Sequence, residues 1–119
     1  MEKVNLAQKF ELFHDTWSPK IIAELNGQQV KLAKVEGEFD WHHHENEDEL
    51  FFVVKGELIL ELRDQKITLG PGELFVVPRG VEHRPVASEL TQILLFEPAS
   101  TLNTGVVRTD RTKEFLDWI

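Results

Sequence analysis

An all-β fold, a sandwich or barrel with a short helix at each end, is what the 119 residues predict, on three observations. From Pro19 onward, short runs rich in Val, Ile, Leu and Phe recur at regular intervals, the texture of many short strands. Between them stand the turn signals Asn26-Gly27, Lys55-Gly56, Gly70-Pro71-Gly72 and Arg79-Gly80. At both ends the apolar spacing changes to three and four residues, the period of a helix.

Taken in order, Leu6, Phe10 and Phe13 lie on one helical face with Lys3, Lys9 and Glu11 off it, which predicts a short amphipathic helix in an arm over 1–18. A barrel follows over 19–108, with eight strands expected near 20–25, 28–35, 50–55, 57–63, 65–69, 73–78, 83–88 and 91–97. Pro71 and Gly72 suit the two central positions of a type II turn, the second of which needs positive φ. Val106 to Arg108 reads as an added edge strand. Over 109–119, Asp110 is placed to cap a last helix carrying Phe115, Trp118 and Ile119 on one face. No linker or low-complexity tract divides the chain, so one domain over 1–119 is expected.

Composition narrows the function. With 41% hydrophobic and 29% charged residues the chain has the make-up of a globular domain able to bury a core. The absence of cysteine excludes a disulfide framework, a thiolate zinc knuckle, an iron–sulfur cluster and a cysteine nucleophile, so any metal must be held by His and carboxylate side chains. A net charge of -8 repels nucleic acid and anionic membrane surfaces. The first residues lack the apolar run of a secretory signal, and nothing approaches the ~20 apolar residues of a membrane span. A cytoplasmic location is expected.

Three of the five histidines form the block His42-His43-His44. In extended chain, residues i and i+2 face the same side, so His42 and His44 can address one point while His43 turns away, toward the solvent or the rim. Glu49, at the start of a strand, and His83, just after the turn at Pro78-Arg79-Gly80, can reach the same point. Three imidazoles and one carboxylate suit Mn, Fe, Co, Ni, Cu or Zn and are too rich in nitrogen for Mg or Ca. His14, outside this set, reads as structural or exposed.

The pattern Gly37-x4-His42-x-His44-x4-Glu49-x6-Gly56 resembles the first motif of the cupin superfamily, and Gly72-x5-Pro78-x-Gly80-x2-His83 resembles the second. The chain's texture is that of the small cupins described as mannose-6-phosphate isomerase-like. Two departures stand out: the spacer after Gly37 is one residue shorter than is common, and Ala87 replaces a frequent Asn. The resemblance implies a double-stranded β-helix, or jelly-roll barrel, with His42, His44, Glu49 and His83 as ligands to one divalent transition ion (Mn, Fe, Zn, Ni or Co). It also implies a homodimer, toward which Ile59 and the apolar face of the N-terminal helix point as well.

Four protein ligands leave a six-coordinate ion two open positions, as catalysis requires. The expected function is therefore a metal-dependent enzyme on a small polar organic molecule, isomerase-like or dioxygenase-like; the alternative is a non-catalytic binding or sensing module. No general base is evident in the sequence. Candidate substrate contacts are Lys34, which shares the parity of Val30 and Leu32, Arg84 next to a ligand, Trp41 beside the His block, and Phe51 on Glu49's side of its strand. Phe51, Val53, Leu58, Leu60 and Leu62 are expected to face an apolar interior.

Overall fold

The computed structural model describes residues 1–119 and contains one helix and seven strands: α1 (Leu6–Phe10), β1 (Lys20–Leu25), β2 (Gln28–Glu38), β3 (Glu49–Lys55), β4 (Leu58–Leu62), β5 (Lys66–Leu69), β6 (Leu74–Val77) and β7 (His83–Pro98). All pairings between strands are antiparallel, in the order β1-β2-β7-β3-β6, with β4 bridging β7 and β5. The sheet curls into a β-barrel whose interior holds Ala33, Val35, Phe51, Val53, Leu58 and Leu60. Alternation along β3 and β4 largely follows the sequence expectation: Val53, Leu58 and Leu60 are fully buried while their neighbours turn outward, and Leu62, expected in the same inward row, is only half-buried at the end of β4.

β7 replaces two expected strands. The link between the two expected strands, Glu89-Leu90, contains no Gly or Pro to break it, so the chain runs on as one strand of 16 residues that pairs with β4 through its first half and with β3 through its second. Between the halves the register against β2 shifts at Val35/Gly37, and Thr91 is buried at the bend.

The helical arm is shorter than its apolar spacing predicts. Asn5 caps α1, its Oδ1 accepting from Gln8 N at 3.0 Å, and the chain leaves the helix after Phe10. Phe10 and Phe13 then pack with Ile22 and Leu32 on the outer face of the sheet, where each buried Phe contributes about 1.5–3 kcal/mol. The apolar face expected to drive dimerisation is consumed inside the chain.

No helix forms over 109–119. Asp110 does not cap; instead the Thr112 hydroxyl accepts from Thr109 N in a tight turn. The last residues run alongside β1, with Ile21 N donating to Asp117 O at 2.8 Å and Ile119 N to Ile21 O at 3.1 Å. The unpaired edge of β1 thus wins over helical spacing, and Phe115 is left almost fully exposed. Val106 to Arg108 forms no strand either: Val106 N donates to His43 O and Val107 N closes a turn on Thr104 O. No helix in the chain is long and apolar enough to cross a membrane.

Candidate metal centre

The His block is held by its backbone before its side chains do anything. His42 and His83 exchange two backbone hydrogen bonds, N to O, of 3.1 and 2.9 Å, which sets their rings 4.3 Å apart between centroids. Gly80 N donates to His44 O at 2.7 Å, and Val106 N donates to His43 O. This extended, pinned stretch enforces the predicted alternation: His42 and His44 are each 3% exposed, whereas His43 faces outward and pairs with Glu45 at 2.6 Å. Asp48 clamps the acidic run to the turn at Pro78-Arg79-Gly80 by accepting from Arg79 N at 2.9 Å, so Glu49 enters β3 facing inward.

The ligand atoms of His42, His44, Glu49 and His83 all lie within 4.8 Å of one another, and all four residues are buried. Two ligands about 2.1 Å from an ion on opposite sides stand about 4.2 Å apart, so a contraction of a few tenths of an ångström closes the set around one metal.

Hydrogen bonding shows what the set lacks. The Nδ1 of His42 lies 2.8 Å from Asp40 O and that of His83 3.0 Å from Val81 O, contacts that place the ring proton on Nδ1 and leave each Nε2 a bare acceptor. His83 Nε2 and His44 Nε2 each lie 3.3 Å from Glu49 Oε1, and neither nitrogen of the buried His44 ring has a hydrogen-bond partner. Buried acceptors facing each other without a donor are costly. A cation satisfies all of them at once, so the donor set fits a transition ion.

Burial, reinforced by the neighbouring His83, lowers the His42 pKa to about 4, so this ring is neutral and ready to bind at physiological pH. Burial also opposes ionisation of Glu49, but its side-chain surroundings, the neighbouring Glu97 foremost, prevail and hold it well below the usual carboxylate range. Unfolded histidine titrates near 6.5. Between that value and about 4 the unfolded chain holds the extra proton, so His42's contribution to stability is complete above about pH 6.5 and is lost as pH falls. From this ring alone the metal-free protein is expected to be about 2 kcal/mol less stable near pH 5 than near pH 7.5. Urea unfolding at the two values checks this, and equal stability would contradict the burial of His42.

A cavity with about 500 Å³ of empty space, part of it open to solvent, reaches His42 and Glu49. Ala33, Val35, Phe51, Ile93 and Leu95 form apolar walls, and the outer part is framed by Trp17, Phe39, Asn103 and Leu116. Trp17 stacks on Phe39 at 4.8 Å between centroids and is fixed by its indole N–H on Glu36 O.

Of the residues expected to meet a substrate, Phe51 lies in this wall, its ring 5.9 Å from that of His83. The other three lie elsewhere. Lys34 does share a face with Val30 and Leu32, but it is the outer face beneath the N-terminal arm, where its Nζ donates to Phe13 O at 2.7 Å. Arg84, one residue from His83, alternates outward to Glu61 and Glu38. Trp41 also lies outside, under the Arg63 guanidinium at 3.9 Å.

Two further charges lie in the interior, beyond those the sequence predicts there. Lys31 and Glu97 form an ion pair of 2.8 Å at 2% and 3% side-chain exposure and line the cavity. The signal is parity: Lys31 shares the parity of Ala33 and Val35, and Glu97 that of Ile93 and Leu95. Burial and the adjacent Glu49 charge push Glu97 well above the ordinary carboxylate range, with Lys31 pulling only partly against them.

A metal-ready set of three imidazoles and a carboxylate inside an antiparallel β-barrel defines a class, and comparison agrees: residues 28–96 match the cupin domain family. The chain belongs to the cupin family. A cupin-2 domain protein of Shewanella frigidimarina is 53% identical, with a TM-score of 0.79 over 80% of this chain and 93% of that one. Protein NMB1881 of Neisseria meningitidis is 33% identical, with a TM-score of 0.76 over 82% of this chain and 100% of that one. KdgF of a Halomonas species is also 33% identical, with a TM-score of 0.59 over 67% and 78% of the two chains. The uncharacterized protein YdbB of Bacillus subtilis is 42% identical over 64 residues, 53% of this chain and 57% of that protein, so the match spans little more than half of that relative.

Proposed function

We propose that this cupin is a cytoplasmic metal-dependent enzyme in which His42, His44, Glu49 and His83 hold one divalent transition ion, Mn, Fe, Zn, Ni or Co, facing a small polar organic substrate. The observation that carries the reading is the convergence of four buried ligand atoms within 4.8 Å beside a cavity. When bound, the ion supplies a Lewis acid or a redox centre with two positions of a six-coordinate shell left for ligands. The chain's own part is to fix the imidazoles through the Asp40 and Val81 carbonyls and to exclude water with Phe51, Ile93 and Leu95. Isomerase-like and dioxygenase-like chemistry are the two forms this supports.

One observation favours the second reading, a non-catalytic binding or sensing module. The cavity's other polar side chains are already engaged: Lys31 with Glu97, and Asn103 with Arg111 O and Lys113 N, both at 2.9 Å. Elemental analysis of tag-free protein purified without chelator or nickel resin, followed by assay on sugars, acids and phenols, separates the two. Bound Fe, or Mn with oxygen uptake, supports the dioxygenase form, and Zn or redox-silent Mn with isomer conversion supports the isomerase form. Metal and ligand binding with no turnover anywhere in the panel would replace the enzyme by the module.

We also propose a homodimer, formed through the outer face of edge strand β6, where Leu74 and Val76 remain exposed. Sedimentation equilibrium is expected to give twice the chain mass, and a monomer at all concentrations would overturn this.

A further inference from the structure

We infer that the mouth of the cavity is a carboxylate-recognition site, with Arg111 as its anion-binding group and the stacked rings of Trp17 and Phe39 as its platform. The substrate class it selects is a small organic acid with an apolar or aromatic body. The inference deepens the reading above and rests on it in taking this cavity as the place where substrate binds.

Arg111 stands apart from the other arginines. Of the five, Arg63, Arg79, Arg84 and Arg108 each pair with a carboxylate, and Arg111 pairs with none. Its guanidinium is nevertheless held in place: Nη1 donates to Glu38 O at 2.6 Å, and Cζ lies 5.6 Å from the ring centroid of Phe39 and 5.9 Å from that of Trp17. The backbone beneath it is fixed as well, because Arg111 O accepts from Asn103 Nδ2 at 2.9 Å. A guanidinium carries its N–H donors in a rigid fork, so one bond to a carbonyl leaves donors for a carboxylate.

Trp17 is held against its own backbone preference. Its φ of +56 lies in the left-handed region, which a bulky side chain rarely adopts. Its N donates to Lys34 O and its indole N–H to Glu36 O, both at 2.9 Å, and its ring stacks on Phe39. Backbone strain of this kind persists where the surroundings over-determine it, and it clusters at ligand sites. Phe39 in turn meets the ring of His42 edge-on at 5.4 Å. A run of rings therefore leads from a ligand of the metal centre out to the guanidinium, a span that suits a small molecule.

Within the protein, the cavity offers an acid no other place for its charge. Its walls are apolar, and the one lysine lining it, Lys31, is paired with Glu97. A single free guanidinium matches a singly charged carboxylate better than a phosphate dianion. The apolar walls also disfavour a body rich in hydroxyl groups, which would be buried there without partners. Trp17 and Arg111 both lie outside the residues 28–96 that match the cupin family, so this mouth is built by what the chain adds to that domain.

The test is calorimetric titration of the intact chain, metal-free and loaded with Zn2+, with benzoate, hexanoate, the uncharged benzamide and phenyl phosphate as probes. At least one of the two acids is expected to bind. Arg111→Met should weaken that binding by about tenfold to a hundredfold, as befits the loss of a charge-assisted hydrogen bond, and leave benzamide binding and Zn2+ affinity unchanged. Arg111→Lys should recover only part, because a point charge replaces the fork. Trp17→Gly removes the ring while suiting the left-handed backbone, and it should weaken benzoate and benzamide alike by about twofold to tenfold. Equal affinity for benzoate and benzamide, unchanged acid binding in Arg111→Met, or no binding of either acid at millimolar concentration overturns the site. Tighter, Arg111-dependent binding of phenyl phosphate replaces the acid by a phosphate ester and overturns the assigned class. If the unsubstituted chain takes up no Zn2+, the metal reading fails, whereas Arg111-dependent binding of an acid to that same metal-free chain still supports the mouth.

Discussion

Replacing His83 by alanine is expected to cost more than about a hundredfold in metal affinity, beyond what is lost when only an outer partner of a ligand is removed. The imidazole is fully buried, held by Nδ1 on Val81 O, and its Nε2 lies 3.3 Å from Glu49 Oε1. Its removal takes away a ligand and opens space beside the buried Glu49 carboxylate. The backbone pairing with His42 does not depend on the side chain, so the barrel should still close. His44→Ala is expected to behave alike. His43→Ala and His14→Ala are the controls: His43 faces outward to Glu45, and His14 lies in an exposed position far along the chain from either motif. Metal content after gel filtration, measured on all four variants, decides the matter. Equal loss in all four would mean that the effect is general unfolding and that the alternation of the block has no bearing on ligation.

That alternation was legible because it follows from covalent geometry alone: once residues 42–44 are extended, His42 and His44 must share a side. Glu49 and His83 were legible through motif spacing, and the interior rows of β3 and β4 through strand parity. What parity does not say is which face is the inside. Along β2 both faces are apolar or neutralised, Lys31, Ala33 and Val35 inward and Val30, Leu32 and Lys34 outward, because the N-terminal arm covers the outer one. On a strand whose pattern is so symmetric, parity groups Lys34 with Val30 and Leu32 without saying that theirs is the outer face, and it does not single out the inward Lys31 and its partner Glu97. The C-terminal segment failed differently. Phe115, Trp118 and Ile119 do carry helical spacing, but the free edge of β1 at Ile21 lies far away in sequence and offers hydrogen bonds that a local pattern cannot anticipate. The two missing strand ends in β7 show the converse, since a link without breakers, Glu89-Leu90, stays extended even where its partners change.

The glycine that closes the first motif gives the second large effect, and it concerns folding with no direct part in ligation. Gly56 turns the chain from β3 into β4 at φ +98, and a Cβ built there would lie 2.4 Å from Thr91 Oγ1 and 3.0 Å from Thr91 Cα. Thr91 cannot retreat: it is fully buried at the bend of β7, and its hydroxyl accepts from Glu57 N at 3.2 Å while lying near the carbonyls of Glu57 and Glu89. Gly56→Ala must therefore bear both the cost of a left-handed backbone, about 1–2 kcal/mol, and that of overpacking against a fixed neighbour, about 1–3 kcal/mol. A loss of about 2–5 kcal/mol is expected, read from urea unfolding. Gly37→Ala is the matched comparison, for it too has positive φ, at +86, but a Cβ there meets nothing within 4 Å. It should lose only the backbone part, about 1–2 kcal/mol. The difference between the two variants isolates the contact with Thr91, and Thr91→Ser in the Gly56→Ala background should leave most of it in place, because the hydroxyl and Cα that block the new methyl remain. If Gly37→Ala and Gly56→Ala lose the same amount, the close approach of the β3–β4 turn to the bend of β7 is not what the first motif's last glycine preserves.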